Sequence, residues 1–315
     1  MNHAHSHSYD HHHHAHAHET GAAGRERKLL FAFVLTAGMM VAEAAGGWLS
    51  GSLALLADAG HMLVDAAALL LALFAARMAK RPADARRTYG YGRIEVLAGF
   101  VNALTQFVLV GLIAYKAIER FFKPVEILSG VMLGVAIVGL LVNLIVLRSL
   151  HDHAHDDVNI GAASLHVLGD LLGSVGAVLA ALAVRWLGWN WADPALSLLV
   201  AVLILNSAWQ LLRRSTHILL EGVPEGMDPH EVENALREVD ASIRDVHHLH
   251  IWQLASGSRM ATLHLELHDQ AESVRALAAV NRTLLERFGI HHATVQIDPG
   301  HCPDGSPGCS AQHHQ

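Results

Sequence analysis

Charge is scarce in this chain, and cysteine scarcer. Lys, Arg, Asp and Glu make up 16% of the 315 residues, against 52% hydrophobic residues. Nearly all the long apolar runs fall between residues 29 and 212, so that stretch cannot be an ordinary soluble domain with a polar surface. The two cysteines, Cys302 and Cys309, lie in the final tail. That excludes a disulfide-stapled secreted scaffold and leaves two reduced thiols, metal ligands or idle. No Gly-rich loop ending in Lys-Ser/Thr occurs, so ATP is not implied. No His-Glu-x-x-His pattern occurs either, which removes the simplest intramembrane metalloprotease. No basic stripe or nucleic-acid motif is present, so nucleic-acid partners are excluded.

What is there is hydrophobic length. Six stretches reach the roughly 20 residues that a bilayer demands: 29–49, 53–78, 94–116, 128–148, 160–187 and 194–212. Lys and Arg gather on one side of them: Arg25, Arg27 and Lys28, then Arg77, Lys80, Arg81, Arg86, Arg87 and Arg93, then Arg148, Arg213 and Arg214. The other side has Lys116, Arg120, Lys123 and Arg185. The positive-inside rule puts both termini in the cytoplasm and Trp186, Trp189 and Trp191 in an outer aromatic belt. Pro124 and Pro194 suit first-turn positions of the fourth and sixth spans, with Asp193 capping the sixth. Gly169, Gly173 and Gly176 suggest close helix approach.

Four parts are expected. Residues 1–24 form a disordered His-rich tail, 25–214 a six-helix membrane domain, 215–300 a small α+β domain, and 301–315 a second tail. The first tail carries His3, His5, His7, His11 to His14, His16 and His18, a flexible arm able to gather metal. A second cluster, His151, His153 and His155 among aspartates, faces the same compartment. In the soluble part, 228–239 and 273–288 have helical period, while 246–254, 260–268 and 292–297 read as strands.

Acids inside the spans carry the functional signal. His61 and Asp65, and again His166 and Asp170, stand four residues apart. On a helix that spacing stacks them on one face. Two such helices side by side offer two imidazoles and two carboxylates, a tetrahedral set suited to Zn²⁺. The alternative is a hydrogen-bonded His–Asp pair within each helix. Asp58 shares the stripe of His61 and Asp65 one turn nearer the outer face, and Glu43 is a further intramembrane acid; both are candidates for a proton or exit path. Gln106 and Asn143 fit interhelical hydrogen bonding. In the soluble part, His264, Glu266 and His268 alternate on one strand face, and His292, Gln296 and Asp298 on another. Strict alternation puts His247 and His248 on opposite faces, so at most one can join a given site.

Five blocks in order carry a family likeness: Ser52–Asp65, Tyr89–Glu95, Leu165–Ser174, Leu220–Pro224 and Val246–Trp252. Over residues 27–300 the chain resembles the cation diffusion facilitators, most of all their bacterial zinc/proton antiporters. The resemblance implies a homodimer joined through its cytoplasmic and membrane domains. It implies six helices per subunit and a ferredoxin-like, metallochaperone-like cytoplasmic domain. It makes His61, Asp65, His166 and Asp170 the transport site. It adds a cytoplasmic metal site at His247, His264 and Asp298, with Cys302 and Cys309 nearby. The activity implied is Zn²⁺ export across the bacterial inner membrane in exchange for external protons, by alternating access, conferring zinc tolerance. No enzyme activity is implied.

Overall fold

The computed structural model describes residues 15–151, 158–255 and 257–298, with side chains described for 33–148, 168–255 and 257–298. Six long helices come first: α1 (Ala15–Ser50), α2 (Leu53–Ala79), α3 (Arg93–Phe122), α4 (Ser129–His151), α5 (Val158–Leu187) and α6 (Ala192–Leu219). Each contains a stretch apolar and long enough to cross a membrane. Their outward faces carry large exposed apolar side chains such as Phe74, Leu112, Leu172 and Leu203, as expected where the surrounding solvent is lipid. Then follow α7 (Pro229–Arg237), β1 (Ile243–Gln253), β2 (Arg259–Leu267), α8 (Ser273–Phe288) and β3 (Ile290–Asp298).

Helix α1 begins at Ala15, inside the tail expected to lack structure; Ala, Glu and Arg there are strong helix formers. Residues 1–14 of that tail, the cluster at 153–155, and Cys302 and Cys309 lie outside the described residues. Pro124 sits in the connection before α4 rather than in its first turn, since that helix starts at Ser129.

The chain divides into two compact units. The first comprises the residues up to Asp65 with Gln106–Leu205, and the second Ala66–Thr105 with Asn206 onward. In the first, Leu55, Met132, Ala136, Ala177 and Ala181 form one core, and Ala57, Val110, Ile113, Ala201 and Ile204 another. Small residues set the spacing. A Cβ on Gly46 would lie 2.5 Å from Val135 Cγ2, and one on Gly176 2.7 Å from Leu196 Cδ1. Gly169 and Gly173 meet nothing within 4 Å, so of the three glycines only Gly176 makes the close approach expected.

The start of α2 is pinned from elsewhere. Gly51 turns the chain with φ +72°, a left-handed conformation natural to glycine. The first N–H groups of a helix have no partner within it. Here Ser52 Oγ accepts from Leu55 N at 3.3 Å, while Asp193 of α6 accepts from Leu53 N at 2.8 Å and Ala54 N at 3.2 Å. Ser52 also donates its hydroxyl to Asp193 at 2.5 Å. Arg120 of α3 donates to Gly51 O at 2.5 Å and reaches Asp193 Oδ2 at 3.3 Å. Asp193 and Ser52 are completely buried. Asp193 therefore caps α2 rather than its own helix. A carboxylate this deep needs a charge partner, and three N–H or O–H donors plus Arg120 outweigh one local cap.

In the second unit the sheet order is β1-β2-β3, with β1 antiparallel and β3 parallel to β2. Val232 and Leu236 of α7 and Ala276, Val280, Leu284 and Phe288 of α8 repeat every four residues, forming the apolar stripes that cover one sheet face. Asp228 caps α7 by accepting from His230 N at 2.9 Å. Gly289, at φ +64°, ends α8. Asp240 accepts from both Arg275 nitrogens and from Ser242, and these bonds, Arg275 first, hold its carboxyl well below the usual carboxylate range.

Candidate metal centres

Helix α2 stacks His61 above Asp65, as the i, i+4 spacing requires, with His61 Nε2 3.5 Å from Asp65 Oδ2. Gln106 of α3 donates from Nε2 to Asp65 Oδ1 at 3.3 Å. That bond fixes the carboxylate's orientation and leaves Oδ2 toward His61. Asp170 is buried on α5. His166 lies one turn earlier on the same helix, and its side chain is outside those described. Asn143 of α4 donates to Ser174 Oγ of α5 at 3.0 Å, the interhelical role expected of it.

Glu43 is 2% exposed. Its side chain hydrogen-bonds that of Asp58, and Asp170 is close enough to act on its charge. Gly139 makes the room, for a Cβ there would stand 3.1 Å from Glu43 Oε1. The two acids assigned to a path, Glu43 and Asp58, are thus in contact with each other.

A second centre lies on the sheet. His247 of β1 pairs with His264 of β2, and Glu266 with Asp298 of β3, so the register places His247, His264 and Asp298 side by side across the three strands. His247 Nε2 lies 3.0 Å and His264 Nδ1 3.3 Å from Asp298 Oδ2. One ligand atom from each falls within 4.8 Å of the others, close enough for a single ion. Asp298 is 1% exposed. Its other oxygen accepts from Gln296 at 3.2 Å, and its carbonyl from Gln270 at 3.0 Å. Asp245 Oδ2 stands 3.3 Å from His247 Nδ1, and Arg237 holds Asp245 at 2.9 Å. His247 Nδ1 makes no hydrogen bond at that distance, and the Nε2 contact with Asp298 is what sets the ring's orientation. A buried carboxylate facing two borderline-soft nitrogens fits Zn²⁺ and is too nitrogen-rich for Mg²⁺ or Ca²⁺.

His248 departs from the expected alternation. Between His247 and His250 the strand advances three residues while β2 advances two, and His248 takes φ +48°. This β-bulge swings the His248 ring to 5.0 Å from His264 and 5.6 Å from His247, centroid to centroid. Both neighbouring histidines therefore reach the same cluster. Val246 and Ile251, both buried against the core although five residues apart, were the signal in the sequence. Strict alternation would put one of them in water.

With the geometry in place, known proteins can be set beside it. Residues 29–220 match the cation efflux transmembrane domain, and 224–300 the cytoplasmic domain of cation efflux proteins. The chain belongs to the cation efflux family. Relatives of this cation efflux protein include the Escherichia coli zinc transporter ZitB, 46% identical over 91% of this chain and 94% of that one. The Bacillus subtilis cadmium, cobalt and zinc/H(+)-K(+) antiporter is 40% identical over 87% of this chain and 89% of that one. Among solved structures, the metal-bound C-terminal domain of the CzcD transporter from Cupriavidus metallidurans is 31% identical, covering 23% of this chain and 99% of that domain, with a TM-score of 0.21. The cation efflux protein is thus a multi-pass membrane transporter and not an enzyme.

Proposed function

We propose that the chain exports Zn²⁺ from the cytoplasm in exchange for external protons, by alternating access. The observation that carries this reading is the His61–Asp65 pair on α2, held by Gln106, together with buried Asp170 on α5. His166 completes the proposed set. Two carboxylates balance the ion's charge and two neutral imidazoles supply the nitrogens zinc favours. When the ion leaves, two like charges face each other in a poor dielectric, and protons taken up from outside relieve that repulsion. The Glu43–Asp58 contact supports a proton path, since neighbouring acids buried within membrane helices are the usual parts of a proton relay. The similarity to zinc transporters of near-equal length supports the choice of metal.

The same reading places the protein in a bacterial inner membrane with both termini cytoplasmic, supported by the skew of Lys and Arg. It makes the protein a homodimer through the cytoplasmic and membrane domains, supported by the match to the dimerising cytoplasmic domain. It assigns His247, His264 and Asp298 to a cytoplasmic zinc site, with Cys302 and Cys309 as further donors.

Zinc flux in oriented proteoliposomes tests it, with the voltage clamped by valinomycin and potassium. External acid should speed efflux and internal acid should slow it. Equal rates under pH gradients of opposite sign would overturn proton exchange, and zero flux under both would overturn transport.

A further inference from the structure

His248 is one of two non-glycine residues with positive φ among the described residues, the other being Glu221. Histidine tolerates the left-handed region better than most residues, but the conformation still costs energy. The bulge that imposes it serves the core, but the core does not call for a histidine there. Any residue at 248 would let Val246 and Ile251 face inward, and a glycine would do so without strain. What a histidine there adds is a third imidazole at the metal cluster.

The ring spacing has the dimensions of a coordination shell. With Zn–N near 2.0–2.1 Å, an imidazole centroid lies about 3.2 Å from the ion, and two rings at the tetrahedral angle stand about 5 Å apart. The three centroid separations here are 5.6, 5.5 and 5.0 Å. Packed rings also stand about 4.5–7 Å apart, so the weight rests on three imidazoles meeting beside a buried carboxylate. The nitrogens of His247 and His264 already converge on Asp298. No His248 nitrogen joins the set of ligand atoms lying within 4.8 Å of one another, so coordination asks its ring to turn about the Cβ–Cγ bond, which leaves the centroid in place. Which edge of an imidazole faces a neighbour is a low-cost choice for the side chain.

Resting on the cytoplasmic zinc site proposed above, we infer that His248 is the fourth ligand of that site. The shell is then three nitrogens and one oxygen, all from one subunit and closed to water, with His248 in the position that the reading above left to the tail thiols of Cys302 and Cys309. A closed shell of this kind holds its metal as a structural or regulatory ion and not as a Lewis acid for an open coordination position. Gln296 holds the Asp298 oxygen that faces away from the histidines.

The test uses the full chain in detergent, titrated with zinc against a chromophoric chelator and, separately, with Co²⁺ while the visible spectrum is recorded. Asparagine accepts left-handed φ, so His248→Asn keeps the bulge and removes the imidazole, and His248→Gly removes it while relieving the backbone. Both variants should bind the cluster's zinc at least about tenfold more weakly. Both should also lose the intense visible absorption of tetrahedral Co²⁺ assigned to this site by its difference spectrum against His264→Ala. Unchanged affinity and spectrum in both His248 variants would overturn the fourth ligand while leaving the site intact. A His264→Ala chain that binds as much zinc as the parent, with the same affinity, would overturn the cytoplasmic site and this inference with it.

Discussion

Acids buried among apolar helices fall into two kinds here, and their partners separate them. Asp193 has Arg120, two backbone N–H groups and a serine hydroxyl around it; it holds helices together. Asp65 has a histidine one turn away and a glutamine amide; in the function proposed above it receives the cation. Asp65→Ala and Asp170→Ala should therefore each abolish zinc flux while the chain remains in the membrane at parental levels, as radioactive zinc uptake into vesicles with matched immunoblots would show. Wild-type-like flux in either would remove that residue from the site. Asp193→Ala should act on stability instead, by about 3–5 kcal/mol, because it strands Arg120 and two helix N–H groups. Ser52→Ala should cost about 1 kcal/mol, as the loss of one helix cap does. Thermal unfolding in detergent should rank the two, and equal midpoints would refute the trans cap. The His61–Asp65 spacing was visible in the chain because a helix makes it local. The destination of Asp193 was not, since its partners lie about 70 and 140 residues away and no periodicity reports on them.

At the scale of elements, close approach rests on particular glycines. Gly46→Ala drives a methyl against the stiff β-branched Val135 and should destabilise by about 1–3 kcal/mol. Gly134→Ala, with nothing within 4 Å, should be neutral or stabilise by up to about 1 kcal/mol. The same unfolding assay separates them, and a harmless Gly46→Ala would show that α1 and α4 can part freely. The small domain carries its own acid sensitivity. Because Asp240 is held below its ordinary range by Arg275 and Ser242, its contribution is present above the unfolded value of about 3.9. It is lost as pH falls through the lower folded value. Unfolding midpoints recorded from pH 7 down to 3 should drop less steeply in Asp240→Asn than in the parent. Parallel curves would deny Asp240 that role. Both helices and all three strands of this domain were legible to within three residues, because alternation and four-residue stripes are local. The bulge was not, because it is an interruption of the very rule used to read the strand.

For the molecule as a whole, removing residues 1–24 should leave maximal zinc flux near the parental value and weaken it only at low zinc. Histidines outside the membrane spans raise local metal concentration without forming the pathway. Loss of flux at saturating zinc in the truncated chain would contradict that. Six spans were readable because a bilayer imposes a minimum length on every crossing. The nearly two extra turns of α3, to Phe122, and of α6, to Leu219, were not, since helix continues past the apolar run wherever backbone bonds remain satisfied. The pin at Ser52 and Asp193 has a mechanical meaning. A stiff rod clamped at one end moves as a lever, with displacement growing along its length. At 1.5 Å per residue, Asp58 lies about 9 Å from the clamp and Asp65 about 20 Å. A ten-degree swing of α2 then carries Asp65 about 3 Å and Asp58 about half as far. Motion large enough to open a metal's coordination shell at Asp65 would shift Asp58 by only about half as much, so one helix grades a single swing into a large stroke at the metal and a smaller one at the Glu43–Asp58 pair.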